Sequence, residues 1–300
     1  MAKIPVILDT DIGGDIDDTW ALALLLKSPE LDLKLVVTDT GNTAYRAQVA
    51  AKLLEIAGRT DVPVGIGLHQ SSETGPQAPW VQDYDLTSYG GTVVQDGVGA
   101  LVDTIMGSPE PVTLVCIGPV PNIAAALQRE PAIAQHARFV GMHGSVYRGY
   151  GGSVEVSAEY NVKADVPACR AVFAAPWEVT VTPLDTCGLV QLRGEKYHAV
   201  RECDDPVTRA VVENYRIWAQ HVPGWGAKHD QDAATSTLFD TVAVYLAFSE
   251  DVLEMQPLGL RVTGDGYTVV DEKAKPVRCA TAWKDLSAFE DLLVRRLTIG

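Results

Sequence analysis

Five aspartates crowd into the ten residues that end one apolar run: after Ile4, Val6, Ile7 and Leu8 come Asp9, Asp11, Asp15, Asp17 and Asp18. Residues 4–8 are apolar without alternation, the pattern of a strand covered on both faces, and such strands belong to parallel sheets flanked by helices. Carboxylates at this density repel one another and raise each other's proton affinity. The loop after the strand therefore needs a positive partner, and a hard divalent cation with oxygen ligands meets that need. Gly13 and Gly14 let the loop bend around such an ion. The positive end of the following helix accounts for one or two of the acids, not for all five.

The rest of the chain repeats the strand-then-helix rhythm. Strands are expected at residues 33–38, 62–66, 112–117, 139–142 and 179–181, and helices at 18–27, 44–57, 99–106, 122–128 and 166–174. This alternation predicts an α/β fold: an open, mostly parallel, Rossmann-like sheet flanked by helices. Beyond residue 200 the pattern changes to helices at 206–220 and 238–248, an irregular stretch at 222–236, a hairpin at 259–270 and a final amphipathic helix at 287–297. This half reads as a C-terminal helical and hairpin cap on one domain spanning 1–300. In open sheets of this kind, ligands bind outside the carboxyl ends of the strands, so chemistry is sought there.

With a net charge of −15 the 300-residue chain repels phosphate backbones, and a nucleic-acid polymer is excluded as a partner. No apolar stretch is long enough to span a membrane, and no basic-then-apolar leader opens the chain. The five cysteines are scattered and unpaired in spacing, which predicts free thiols in a reducing compartment.

Four short motifs follow the acidic loop in order: Thr40-Gly41-Asn42 after the second strand, Ile117-Gly118-Pro119-Val120-Pro121-Asn122-Ile123-Ala124, Ala158-Glu159-Tyr160-Asn161, and Phe239-Asp240-Thr241-Val242-Ala243. Together with Asp9-Thr10-Asp11 and Asp17-Asp18-Thr19-Trp20-Ala21-Leu22, they make the chain resemble the inosine–uridine-preferring nucleoside hydrolase family over nearly its whole length. The resemblance implies a calcium-dependent enzyme that cuts the N-glycosidic bond of ribonucleosides with water. It implies Asp11, Asp18, the Ile117 carbonyl and Asp240 as calcium ligands, with Asp11 also as general base, and Asp17, Asn42, Glu159 and Asn161 as holders of the ribose. It further implies a cytoplasmic homodimer or homotetramer acting on small nucleosides.

Departures from the family pattern sharpen the reading. Two extra residues and Asp15 sit inside the first motif, so either Asp15 or Asp17 takes the sugar-binding role. Ile117 replaces a threonine, which a backbone ligand tolerates, and Ser153 stands where the family has a further asparagine. Phe239 occupies the position of the histidine that protonates the leaving base in many members. A stacked purine can leave without that histidine if solvent protonates it, which predicts purine preference with Phe239, Trp80 and Trp225 as base-binding aromatics. His143, His221 and His229 are the alternative acids, and Trp20, Trp177, Trp218 and Trp283 are expected to be structural. Two other functions compete. An aspartyl phosphatase would need a downstream lysine and a second acidic pair, and the sequence offers no clear instance. A calcium-dependent nucleoside binder without turnover is suggested by the missing histidine and by Ser153.

Overall fold

The computed structural model describes residues 2–222 and 230–299. Among them one ten-stranded sheet is built from β1 (Ile4–Thr10), β2 (Leu31–Thr38), β3 (Val64–Ile66), β4 (Val93–Val94), β5 (Val112–Cys116), β6 (Ala137–Met142), β7 (Val179–Thr182), β8 (Leu253–Val262), β9 (Thr268–Val270) and β10 (Pro276–Trp283). Their order is β4-β3-β2-β1-β5-β6-β7-β10-β8-β9. All neighbours from β4 through β10 pair in parallel, and only β10–β8 and β8–β9 are antiparallel.

The expected apolar runs become strands because both faces are covered. Side chains alternate across a strand, and in β1 Val6 and Leu8 join one hydrophobic cluster while Ile7 joins the other. In β5 Val115 faces the first cluster, and Val112, Leu114 and Cys116 the second. The β1–β2 register shifts between Val6 and Ile7, and that irregularity lets Leu33 and Leu35 serve opposite faces. Helix α1 (Asp17–Leu26) carries its acids in the first turn and is otherwise apolar and buried, with Trp20 edge-on to Tyr215 at 6.2 Å. Helix α2 (Thr43–Ile56) starts at Asn42, and its end meets Gly58 at φ 66°.

The C-terminal part differs from the expected cap. The hairpin is not laid over the sheet. Strand β8 begins six residues before the alternation suggests (253 against 259), and β10 pairs with both β8 and β7, so the hairpin continues the sheet edge. Charged Arg278 and the opening Pro276 mask β10 in the sequence, since an edge-region strand tolerates both. The helix expected over 238–248 is shorter, Thr241–Leu246, with Asp240 as its N-cap residue. All five cysteines are free, four of them buried and Cys203 partly so. Among the described residues no helix is long and apolar enough to cross a membrane.

The strand order reverses between β1 and β5: chain connections run one way through β2, β3 and β4, and the other way through β5, β6 and β7. Loops leaving these two strands must diverge, and the crevice between them is where such sheets bind ligands.

Candidate active site

A cavity of about 360 Å³ opens at that crevice, within the usual size of small-molecule sites, about 300–1,000 Å³. The β1 loop supplies Asp11, Gly14, Asp15, Asp17 and Asp18 to its wall; Ile117 and Met142 come from the ends of β5 and β6. Glu159, Tyr160, Asn161, Phe239 and Asp240 complete the far side with Tyr150, and Arg46 reaches in from α2. A larger hollow of about 640 Å³ lies around Leu26, Lys27 and Arg296, but Lys27 pairs with Asp205 at 2.7 Å and Arg296 with Glu30 at 2.5 Å. Size is outweighed there by the lack of a carboxylate cluster, Asp205 being the one acid in its lining among the described residues.

The floor is acidic. Asp17, Asp18 and Asp240 are buried and offer carboxylate oxygens that all lie within 4.8 Å of one another. Asp17 and Asp18 share the first turn of α1, and Asp240 opens the helix Thr241–Leu246, so two helix N-termini converge here. Thr10 Oγ1 donates to Asp18 Oδ1 at 2.5 Å. Burial, then the neighbouring carboxylates, hold all three well above the ordinary carboxylate range. Three buried carboxylates that cannot all ionise together form an all-oxygen donor set, and that set fits a hard divalent cation. The trio includes Asp17, expected on the sugar, and leaves Asp11 just outside.

Asp11 is buried at the same wall, with Arg46 Nη2 3.8 Å from its Oδ2. Desolvation raises its proton affinity, and the guanidinium opposes that rise. Gly118 packs against it so tightly that a Cβ there would lie 2.9 Å from Asp11 Oδ1 and 3.0 Å from its backbone nitrogen. Gly118→Ala is therefore expected to push Asp11 out of place and lower turnover about 100-fold, the scale of an ångström misplacement. Steady-state kinetics beside a melting curve checks it, and near-wild-type turnover would contradict it. Asp15 differs from Asp17: the residue is exposed at the mouth, its Oδ1 accepts from Ile16 N at 2.7 Å, and desolvation of the carboxyl followed by the charge of Asp11 pushes it up to about 6.

The far side is held by backbone. Glu159 caps the helix Tyr160–Ala164, accepting from Asn161 N at 2.7 Å, Val162 N at 3.2 Å and Gly144 N at 2.9 Å. Burial outweighs these donors and pushes it up to about 7. Asn161 Nδ2 donates to the carbonyls of Ile117 at 3.1 Å and Met142 at 3.0 Å, joining the ends of β5 and β6. Two carbonyl partners fix the amide's orientation, and Asn161 lines the cavity wall. The Ile117 carbonyl thus sits at the wall, tied to Asn161. Behind the floor, fully buried Asn122 links Asp9 Oδ2 at 2.9 Å, the Thr38 carbonyl at 3.1 Å and Leu68 N at 2.9 Å, so the third motif fastens three loops.

Several expected residues lie elsewhere. Asn42 spends its side chain on α2 and its surroundings, accepting from Tyr45 N at 3.1 Å and donating to the Ser72 carbonyl at 3.1 Å, and it is not part of the cavity wall. Trp80 corrects the aromatic assignment: it is buried in the core cluster, with Lys52 Nζ 4.4 Å over its ring, and does not line the cavity. Trp225 and His229 lie outside the described residues. His143 is enclosed by Phe139 and Phe173 at 5.5 and 6.2 Å, and burial pushes it down to about 3, so it stays neutral and away from the wall. His221 lines an adjoining hollow that shares Gly14 and Asp15 with the cavity. Ser153 accepts from Glu155 N at 3.0 Å within its own turn.

Phe239 does reach the cavity, and its aromatic neighbour is Tyr150, edge-on at 6.0 Å. Tyr150, Tyr160 and Arg46 are the residues that sequence reasoning missed. A tyrosine among Gly149, Gly151 and Gly152 was the available signal, since left-handed glycines at φ of 64° and 77° mark a tight turn. Arg46 had none: its role follows from bonds to the Thr40 carbonyl at 2.9 Å and the Ile12 carbonyl at 3.0 Å, which staple the β1 and β2 loops. Thr40 sits there at φ 51°, a left-handed conformation costly for a β-branched residue.

The chain is similar to known proteins. The profile described as "Inosine-uridine preferring nucleoside hydrolase" matches residues 6–291. The chain is 32% identical to the pyrimidine-specific ribonucleoside hydrolase RihA of Enterobacter sp. over 98% of this chain and 97% of that one. It is 34% identical to the non-specific ribonucleoside hydrolase RihC of Escherichia fergusonii over 61% and 62% of the two chains. Among solved structures, the plant nucleoside hydrolase PpNRh1 superposes with a TM-score of 0.84 at 22% identity, covering 100% of both chains. The purine-preferring ribonucleoside hydrolase of Gardnerella vaginalis gives 0.76 at 21% identity over 98% of each. The match runs through the strand that carries the acids and on past Asp240, and it settles the kinship: this chain belongs to the inosine–uridine preferring nucleoside hydrolases, a family of enzymes.

Proposed function

We propose that the protein hydrolyses the N-glycosidic bond of ribonucleosides, purines in preference, to ribose and free base. One observation carries the reading: a nucleoside-sized cavity at the switch point has a carboxylate floor on one side and Phe239 with two tyrosines on the other. Asp17, Asp18 and Asp240, with Asp11 and the Ile117 carbonyl beside them, would hold calcium, which when bound supplies the positive charge that acidifies and orients water. Asp11 accepts the proton of the attacking water, in reach of Arg46. Asn161 Oδ1 and Glu159 accept from ribose hydroxyls, and binding energy on the sugar helps carry it toward its oxocarbenium-like transition state. The reading is of a cytoplasmic homo-oligomer acting on small nucleosides, and the free, buried cysteines suit a reducing compartment.

Purine preference rests on Phe239 in place of a proton donor. Phe239→Ala is expected to cut turnover on inosine or guanosine about tenfold or more, the scale of a lost base–aromatic contact. Unchanged rates would remove Phe239 from base binding. A second reading is favoured by the relatives named pyrimidine-specific, 30–32% identical across 98% of the chain. Reducing-sugar release from inosine, guanosine, adenosine, uridine and cytidine, with calcium and after chelation, separates the two. Chelator-sensitive release favouring purines supports the first; equal or better cleavage of pyrimidines selects the second. Bound nucleoside with no release from any substrate would point to a binder without turnover.

A further inference from the structure

We propose that the Tyr150 hydroxyl is the hydrogen-bond donor to the departing base, filling the position that a histidine leaves vacant at Phe239; the inference rests on the hydrolase reading above. The phenol oxygen accepts the Tyr160 backbone N–H at 3.0 Å. Its own hydrogen finds no acceptor among the described residues, while the ring lines the cavity edge-on to Phe239 at 6.0 Å. The group is therefore fixed in place with an unspent donor beside the aromatic ring that meets the base.

The turn that carries Tyr150 is itself fixed. Gly149 N donates to the Ser153 carbonyl at 3.0 Å, and Gly149 lies so close to the Glu155 carbonyl that a Cβ would come within 2.2 Å of it. Of the other donors near the site, two are committed elsewhere. Arg46 is bonded to the Thr40 and Ile12 carbonyls beside Asp11, and His143 is sealed in the core. Burial, then the charge of Glu159, raises the Tyr150 phenol above its ordinary range, so it remains protonated at neutral pH.

The bond changes balance without a proton leaving Tyr150. The bond from the anomeric carbon to the base nitrogen breaks, and its electron pair goes to the base. The water oxygen bonds to the anomeric carbon, and the water's proton goes to Asp11. The base anion is held by the phenol hydrogen bond until solvent protonates it, and Asp11 returns its proton to solvent.

The test compares Tyr150→Phe with wild type on inosine, guanosine and para-nitrophenyl β-D-riboside. The nitrophenolate leaves without needing a donor. The variant keeps the ring, and a melting curve verifies the fold. Loss of kcat by about 10- to 100-fold on the nucleosides, the value of a hydrogen bond to a charged acceptor, with an unchanged rate on the nitrophenyl riboside, is the expected result. Equal loss on both substrates would make Tyr150 a sugar or packing contact, and no loss on nucleosides would remove it from the reaction; either overturns the inference. Wild-type protein inactive on every nucleoside would overturn the hydrolase reading first, and is seen before any variant is made.

Discussion

Asp11→Asn is expected to lower turnover on any accepted nucleoside by about 10²- to 10⁴-fold, the usual contribution of a general base, while calcium still raises the melting temperature. The two readouts separate because Asp17, Asp18 and Asp240 offer oxygens within 4.8 Å of one another, with Asp11 outside the trio. The asparagine keeps the size of the group that Gly118 packs against, so the loop keeps its shape. Loss of calcium protection together with activity would make Asp11 a ligand first. Turnover within several-fold of wild type would remove it from both roles.

The second large effect is on stability. In the metal-free protein, burial first and carboxylate neighbours second raise Asp17, Asp18 and Asp240 well above their ordinary value of 3.8. A carboxyl with a raised folded-state pKa binds more protons folded than unfolded, so stability falls as pH rises from its unfolded value through its folded one. Metal-free protein is thus expected to melt higher near about pH 5.5 than near about pH 7.5. Calcium needs the ionised carboxylates and reverses the order. At a hundredfold excess over its Kd it adds roughly 2.7 kcal/mol, or about 4 °C in Tm for a chain of this length. Differential scanning calorimetry across pH, with calcium and with chelator, reads both. Asp240→Asn should flatten the metal-free slope and weaken the calcium shift. A metal-free protein that is more stable at neutral pH and indifferent to calcium would mean that the trio is not a cation site.

The sequence carried the sheet and the acidic floor because both are local. An unbroken apolar run such as residues 4–8 reports burial on two faces, and carboxylates repelling each other report a missing cation, whatever the rest of the chain does. The aromatic wall was less legible. Trp80 looked as available to a base as Phe239, but only the packing of α2 with Lys52 over its ring places it in the core. Tyr150 and Arg46 were missed because their neighbours are distant in sequence: Tyr150 meets Phe239, and Arg46 meets Ile12. Strand β10 was hidden for the same reason, since its register is set by pairing with β7 and β8 more than by its own composition.

The floor and the aromatic wall are built differently. The acids stand on helix starts and a strand end, and a change there disturbs the fold as well as the chemistry. Tyr150 stands on a short glycine turn stitched mainly to itself through Gly149, Ser153 and Glu155. Descendants of this chain can therefore vary the turn and acquire a taste for another base while inheriting the carboxylate floor intact. An engineer seeking altered selectivity would vary the turn around Tyr150, keep Gly149, and leave the first forty positions alone.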